Sequence, residues 1–88
     1  MHETGLVSDL IRQLEHIAAD NEPASITTIR VRVGALTQIS GQHFSEHFNQ
    51  AVRDHPLGNA NLEVNCSEDT SAADAQAIIL ESVELETL

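Results

Sequence analysis

The sequence predicts an α+β domain in which two helices pack on one face of a small three-stranded mixed sheet, in the order α-β-α-β-β. Three observations lead there. Two segments, one opening at Leu6 and one centred on Phe44, repeat apolar residues at three- and four-residue spacing. Three others alternate apolar and polar residues, the first of them β-branched nearly throughout. Between them stand Pro23, Gly34, Pro56 and Gly58, or runs of small polar residues, which punctuate the chain. With 88 residues this is a single domain, 1–88. A domain of that size buries only about 60–65% of the surface its unfolded chain exposes, so the core is thin. Phe44 and Phe48 are the only aromatic residues, which makes the rest of that core aliphatic.

The first helix is expected over Leu6–Ala19. Leu6, Leu10, Leu14 and Ile17, joined by Val7, Ile11 and Ala18, form its apolar face, and Asp9, Arg12, Gln13, Glu15 and His16 form the other. Asp20-Asn21-Glu22-Pro23 stops it, because proline disfavours helical backbone in the residue before it. The first strand, Ile26–Val33, sets Ile29, Val31 and Val33 against a solvated face of Thr28, Arg30 and Arg32. Gly34 ends that alternation, and Ala35–Ile39 connects to Ser40, which is placed to cap a second helix over Gly41–Asp54. Its buried stripe is Phe44, Phe48, Ala51 and Val52, and His55–Asn59 is a break.

A second strand spans Asn61–Cys66 with Leu62, Val64 and Cys66 on one side, so Cys66 is expected as a small buried hydrophobe. Residues 67–75 form a polar, small-residue loop. The third strand, Gln76–Glu86, opens on Ile78-Ile79-Leu80, more apolar than one-sided burial requires, before Val83 and Leu85 alternate with Ser82, Glu84 and Glu86. The last two strands are expected to pair as an antiparallel hairpin. Glu81, Glu84 and Glu86 are expected to be solvated, with Arg30 and Arg32 offsetting them across the sheet.

Charge and composition exclude several functions. Four arginines and no lysine face fourteen acidic side chains, a formal net charge of -10. Such a chain repels phosphate backbones and anionic lipid, which argues against nucleic-acid and membrane partners and for cations and basic protein surfaces. A lone cysteine, Cys66, excludes an intramolecular disulfide and a multi-thiolate zinc site from one chain. No apolar run approaches a membrane span, and the first residues lack the basic and apolar regions of a secretory leader, so the cytoplasm is expected.

The first three residues, Met1-His2-Glu3, carry the most specific chemistry. With histidine second, the terminal amine, the amide nitrogen between Met1 and His2 and the His2 imidazole can close adjoining chelate rings on one ion, and Glu3 can add an oxygen. In-plane nitrogen donors suit nickel(II) or copper(II). Initiator methionine is removed mainly before small residues, so Met1 is expected to stay ahead of His2. On spacing alone, solvated terminal residues are the competing interpretation.

Met1-His2-Glu3, the helix after it, and the strand Ile29-Arg30-Val31-Arg32-Val33-Gly34-Ala35-Leu36 resemble the HypA/HybF family of nickel-insertion accessory proteins for NiFe hydrogenase maturation. Gly58-Asn59-Ala60-Asn61-Leu62-Glu63-Val64 and Glu81-Ser82-Val83-Glu84-Leu85-Glu86 are similar to that family's second and final strands, so the likeness runs end to end. The resemblance implies a non-enzymatic nickel metallochaperone with Met1, His2 and Glu3 as the nickel(II) site. It also implies a GTPase metallochaperone and a nickel-enzyme large subunit as partners, with hydrogenase as the main client and urease in some organisms. Thr4-Gly5 departs mildly from the family, which usually has an apolar or small residue and then serine. The larger departure is the zinc-binding insert with two paired-cysteine motifs that the family carries between its last two strands. Here that place holds the short loop, and Cys66 matches no zinc ligand, so structural zinc is not expected. An interaction module that keeps the fold but has lost metal delivery is the alternative, and the oligomeric state is left open.

Among other constellations, His43-Phe44-Ser45-Glu46-His47 spells the H-x-x-E-H string of inverted zinc peptidases. A peptidase also needs a third ligand, a cleft and an electrophile site, for which this chain is too small. His43 and His47 do share a helical face, which makes them either a second metal position or polar residues bordering the phenylalanine stripe. His16 and His55 are expected as surface or hydrogen-bonded polar residues.

Overall fold

Val7, Leu10 and Leu14, three to four residues apart, are at most 3% exposed and anchor the first helix, α1 (Glu3–Asp20), to the core. The protein is described here by a computed structural model covering residues 3–87, with side chains from residue 5 onward. α1 begins three residues before Leu6 and closes where the Asn21 side-chain amide donates to the Ile17 carbonyl at 2.7 Å. Strand β1 (Ser25–Val33) follows, then α2 (Gly41–Ala51), a single 3-10 turn at Pro56–Asn59, and strands β2 (Asn61–Cys66) and β3 (Ile78–Glu86). The predicted class and element order hold among the described residues. Both helices cover the face formed by Ile29, Val31 and Val33.

Ser40 caps α2 as expected, its hydroxyl accepting from the His43 N–H at 3.0 Å. The helix ends at Ala51, short of Asp54, because Val52 turns out of helical geometry and the chain bends toward Pro56. Ala51, expected in the buried stripe, is exposed, and Phe44, Phe48 and Val52 carry that face alone.

The sheet order is β2-β1-β3, with β2 parallel and β3 antiparallel to β1. The expected hairpin of the last two strands is therefore wrong: β2 and β3 lie on opposite edges. α2 is the crossover that returns the chain to run beside β1, which makes β2 parallel. Residues 67–77 then pass over the C-terminal end of β1 to the far edge. Val33 pairs with Cys66 on one side and with Ile78 on the other, so both ends of this crossing meet the same residue. The crossing is held by Ser67 N–H to the Val33 carbonyl (2.9 Å), Gly34 N–H to the Ala77 carbonyl (2.9 Å) and Leu36 N–H to the Ala75 carbonyl (2.8 Å). It buries Ala75.

Two irregularities interrupt the β1–β3 pairing. Register shifts fall between Ile26 and Thr28 and between Arg30 and Val31, leaving Thr27 and Glu81 as extra residues. Each shift sits where inward apolar residues are three apart, Ile26 to Ile29 and Leu80 to Val83. Ile78 and Leu80 thereby pair with the buried Val33 and Val31.

Both helices start at the same end of the sheet. Leu6 and Leu10 border a groove with Ala77 and Ile78, and a Cβ on Gly41 would stand 3.1 Å from Cys66 Sγ. At the opposite end Glu15 of α1 meets His55, beyond α2.

Candidate metal centre

The expected ligands Met1 and His2 lie outside the described residues, as does the side chain of Glu3, whose backbone opens α1. What the structure does describe is the frame behind them: a helix anchored through Val7 and Leu10, starting at the sheet end where α2 also starts.

His43 and His47 stand four residues apart on α2, His43 exposed and His47 half-buried. Together with Glu46, Asn49, Gln50 and Arg53 they line a shallow depression of ≈ 760 Å³. Phe44 and Phe48, each adjacent to one of the histidines, are 0% and 1% exposed and hold the helix against the core. Glu46 is drawn toward Gln42, whose amide donates to its carboxylate at 3.1 Å. Among the described residues, no group of three or more His, Cys, Asp or Glu side chains could hold a metal ion.

His55 has a structural task, in line with the sequence-based expectation. Its Nδ1 accepts the Leu57 N–H at 3.1 Å, so the proton of the neutral ring sits on Nε2, 3.1 Å from Glu15 Oε2. The imidazole thus caps the 3-10 turn and ties it to α1. His16 is exposed on α1. Cys66 is exposed rather than buried: it ends an edge strand, with its sulfur beside Gly41 at the first residue of α2.

Several carboxylates of the open sheet face are committed to arginine. Arg30, on the central strand, bonds Glu63 of β2 (3.1 Å) and Glu84 of β3, and the Glu84 bond chiefly raises its pKa. Arg32 makes two parallel 3.1 Å bonds to Asp74 in the crossing and approaches Glu81 at 3.5 Å. The expected offset of Glu81 and Glu84 is present. Its partners Glu63 and Asp74 were missed, although alternating arginines on an open strand face signal carboxylates on both neighbours. Asp69 is a local turn residue, its carboxylate lowered in pKa by the Ser71 hydroxyl and N–H.

The Arg32 bond holds Asp74 below the ordinary carboxylate range. A lowered folded-state pKa contributes stability that is present above the unfolded value, about 3.9, and is lost as pH falls through the folded value. The urea midpoint of the native chain should therefore exceed that of Asp74→Asn near neutral pH, and the gap should close below about pH 4. A gap independent of pH would show that the ion pair does not secure the crossing.

A family model described as "Hydrogenase/urease nickel incorporation, metallochaperone, hypA" matches residues 1–84. Comparisons with curated proteins and with solved structures find no match.

Proposed function

The chain belongs to the HypA family of hydrogenase/urease nickel-incorporation metallochaperones, and on that premise we propose that it binds nickel(II) at its amino terminus and hands it on during maturation of a nickel enzyme, foremost NiFe hydrogenase. The observation that carries this proposal is the extent of the match, which begins at residue 1 and so includes Met1-His2-Glu3. The Met1 amine, the Met1–His2 amide nitrogen and the His2 imidazole supply nitrogen donors in a plane, and the Glu3 carboxylate supplies oxygen, a set suited to nickel(II). Nickel is the cargo. A site built from consecutive residues at a chain end releases its ion by ligand exchange when a partner offers competing donors. The protein binds and transfers rather than catalyses.

A GTPase metallochaperone and the large subunit of the client enzyme are the proposed partners, in the cytoplasm. The net charge of -10 disfavours nucleic acid, and among the described residues no helix is long and apolar enough to cross a membrane. We read these 88 residues as free of structural zinc: Cys66 is their only cysteine, and the β2-to-β3 crossing is held by backbone bonds and the Arg32–Asp74 pair.

Calorimetric nickel titration of protein with its native Met1, beside His2→Ala and a version carrying extra residues before Met1, tests the proposal. Each control should weaken binding at the tight site by at least roughly 100-fold, since a direct ligand matters no less than the surrounding residues that tune one. If the native chain binds no tighter than either control, nickel delivery fails and the family fold serves here as a protein-interaction module.

A further inference from the structure

We propose that α2 carries a second metal position, a two-imidazole chelate formed by His43 and His47 that takes a borderline divalent transition ion such as nickel(II). It stands independently of the amino-terminal site. The two residues are one helical turn apart, so their Cβ atoms are about 5–6 Å from each other and both rings can reach one ion from the same side. They line a single depression together with Glu46, Asn49, Gln50 and Arg53, the carboxylate of Glu46 offsetting the guanidinium of Arg53 in charge.

The scaffold beneath the pair is rigid, which a chelate of only two side chains requires. Ser40 pins the His43 N–H, and the buried Phe44 and Phe48 fix the rotation of α2, so His43 and His47 flank the phenylalanine stripe on one side. Neutral imidazole is a preferred donor for nickel, copper and zinc, and water fills the remaining positions. The net charge of -10 raises the local concentration of cations. His43 lies in the first turn of α2, at the sheet end where α1 also starts, so an ion held there sits at the same end of the molecule as the opening of α1.

The test is nickel(II) titration of the full chain by calorimetry, with imidazole resonances followed by NMR. His2→Ala should retain one weaker nickel ion whose binding broadens the His43 and His47 signals. Adding His43→Ala or His47→Ala to that background should weaken this ion by about tenfold or more, and His16→Ala should leave it unchanged. The proposal is overturned if His2→Ala binds no nickel, or if the weaker ion is unaffected by either α2 variant or equally affected by His16→Ala. It is also overturned if the native chain binds one ion only and His43→Ala weakens that ion, because the histidines would then complete the terminal site. The tight ion reports on the amino terminus and the weak one on α2, so the two proposals fail separately.

Discussion

Phe44→Ala is expected to lower the stability of this protein by about 3–5 kcal/mol, the cost of emptying a fully buried aromatic position. For 88 residues, with a total stability of roughly 4–13 kcal/mol, that loss is a large fraction of the whole and unfolds much of the population if the total lies at the low end of the range. Phe44 is 0% exposed and stacks on Phe48, with ring centroids 6.1 Å apart and planes at 25°. The chain has no other phenylalanine and no tyrosine or tryptophan, and the aliphatic residues around these two rings are held between a helix pair and a central strand with little room to collapse inward. Phe44→Leu should lose under about 1.5 kcal/mol, because it keeps most of the volume. Urea unfolding followed by far-ultraviolet circular dichroism suits a chain without tryptophan or tyrosine. A loss below about 1 kcal/mol for Phe44→Ala would mean that the α2 stripe is not the centre of the core.

Gly34→Ala should be nearly as damaging, for a reason confined to the backbone. A Cβ at Gly34 would stand 2.3 Å from the Ala75 carbonyl oxygen and 2.8 Å from that of Ala77. No flexible side chain is available to move aside. Residues 67–77 would have to lift from the end of β1, stretching the bonds from Gly34 N–H and Leu36 N–H. Overpacking of about 1–3 kcal/mol, together with about 1 kcal/mol for a weakened hydrogen bond, predicts a total near 2–4 kcal/mol. In a domain of this size such a loss lowers the thermal midpoint by roughly 10 °C or more. Hydrogen exchange should accelerate first at residues 34 and 36. By contrast Gly5→Ala, inside α1 with nothing within 4 Å of the new methyl group, should stabilise by up to about 1 kcal/mol. Equal midpoints for the two variants would show that the crossing does not press on β1.

The elements themselves were readable because their signals are local. The bounds of β2 and the Ser40 cap agree with the sequence residue for residue, and the buried face of β1 holds the expected Ile29, Val31 and Val33 with Ile26 in addition, since periodicity and capping chemistry act within a few neighbours. The breaks in apolar phase at Ile26–Ile29 and Leu80–Val83 coincide with the two register shifts, whereas the excess apolar character at the start of the third strand comes from Ile79, which pairs with Arg32. Strand order was not readable. A polar loop after β2 is equally compatible with a hairpin to the next strand and with a crossing over β1, and what favours the crossing is its bonding to the end of β1 at Val33, Gly34 and Leu36, which delivers β3 to the other edge.

For the metal chemistry the same division holds. The donor set proposed at Met1, His2 and Glu3 is read from the sequence alone, because chelate rings from consecutive residues depend only on covalent spacing. It also determined that His43 and His47 share a helical face. Tertiary structure decided that α1 and α2 begin at one end of the sheet, that Asp74 serves Arg32 and that Cys66 is left uncovered. Those outcomes follow from how β1 is flanked on both edges, which brings together residues more than forty positions apart and is written in no local pattern.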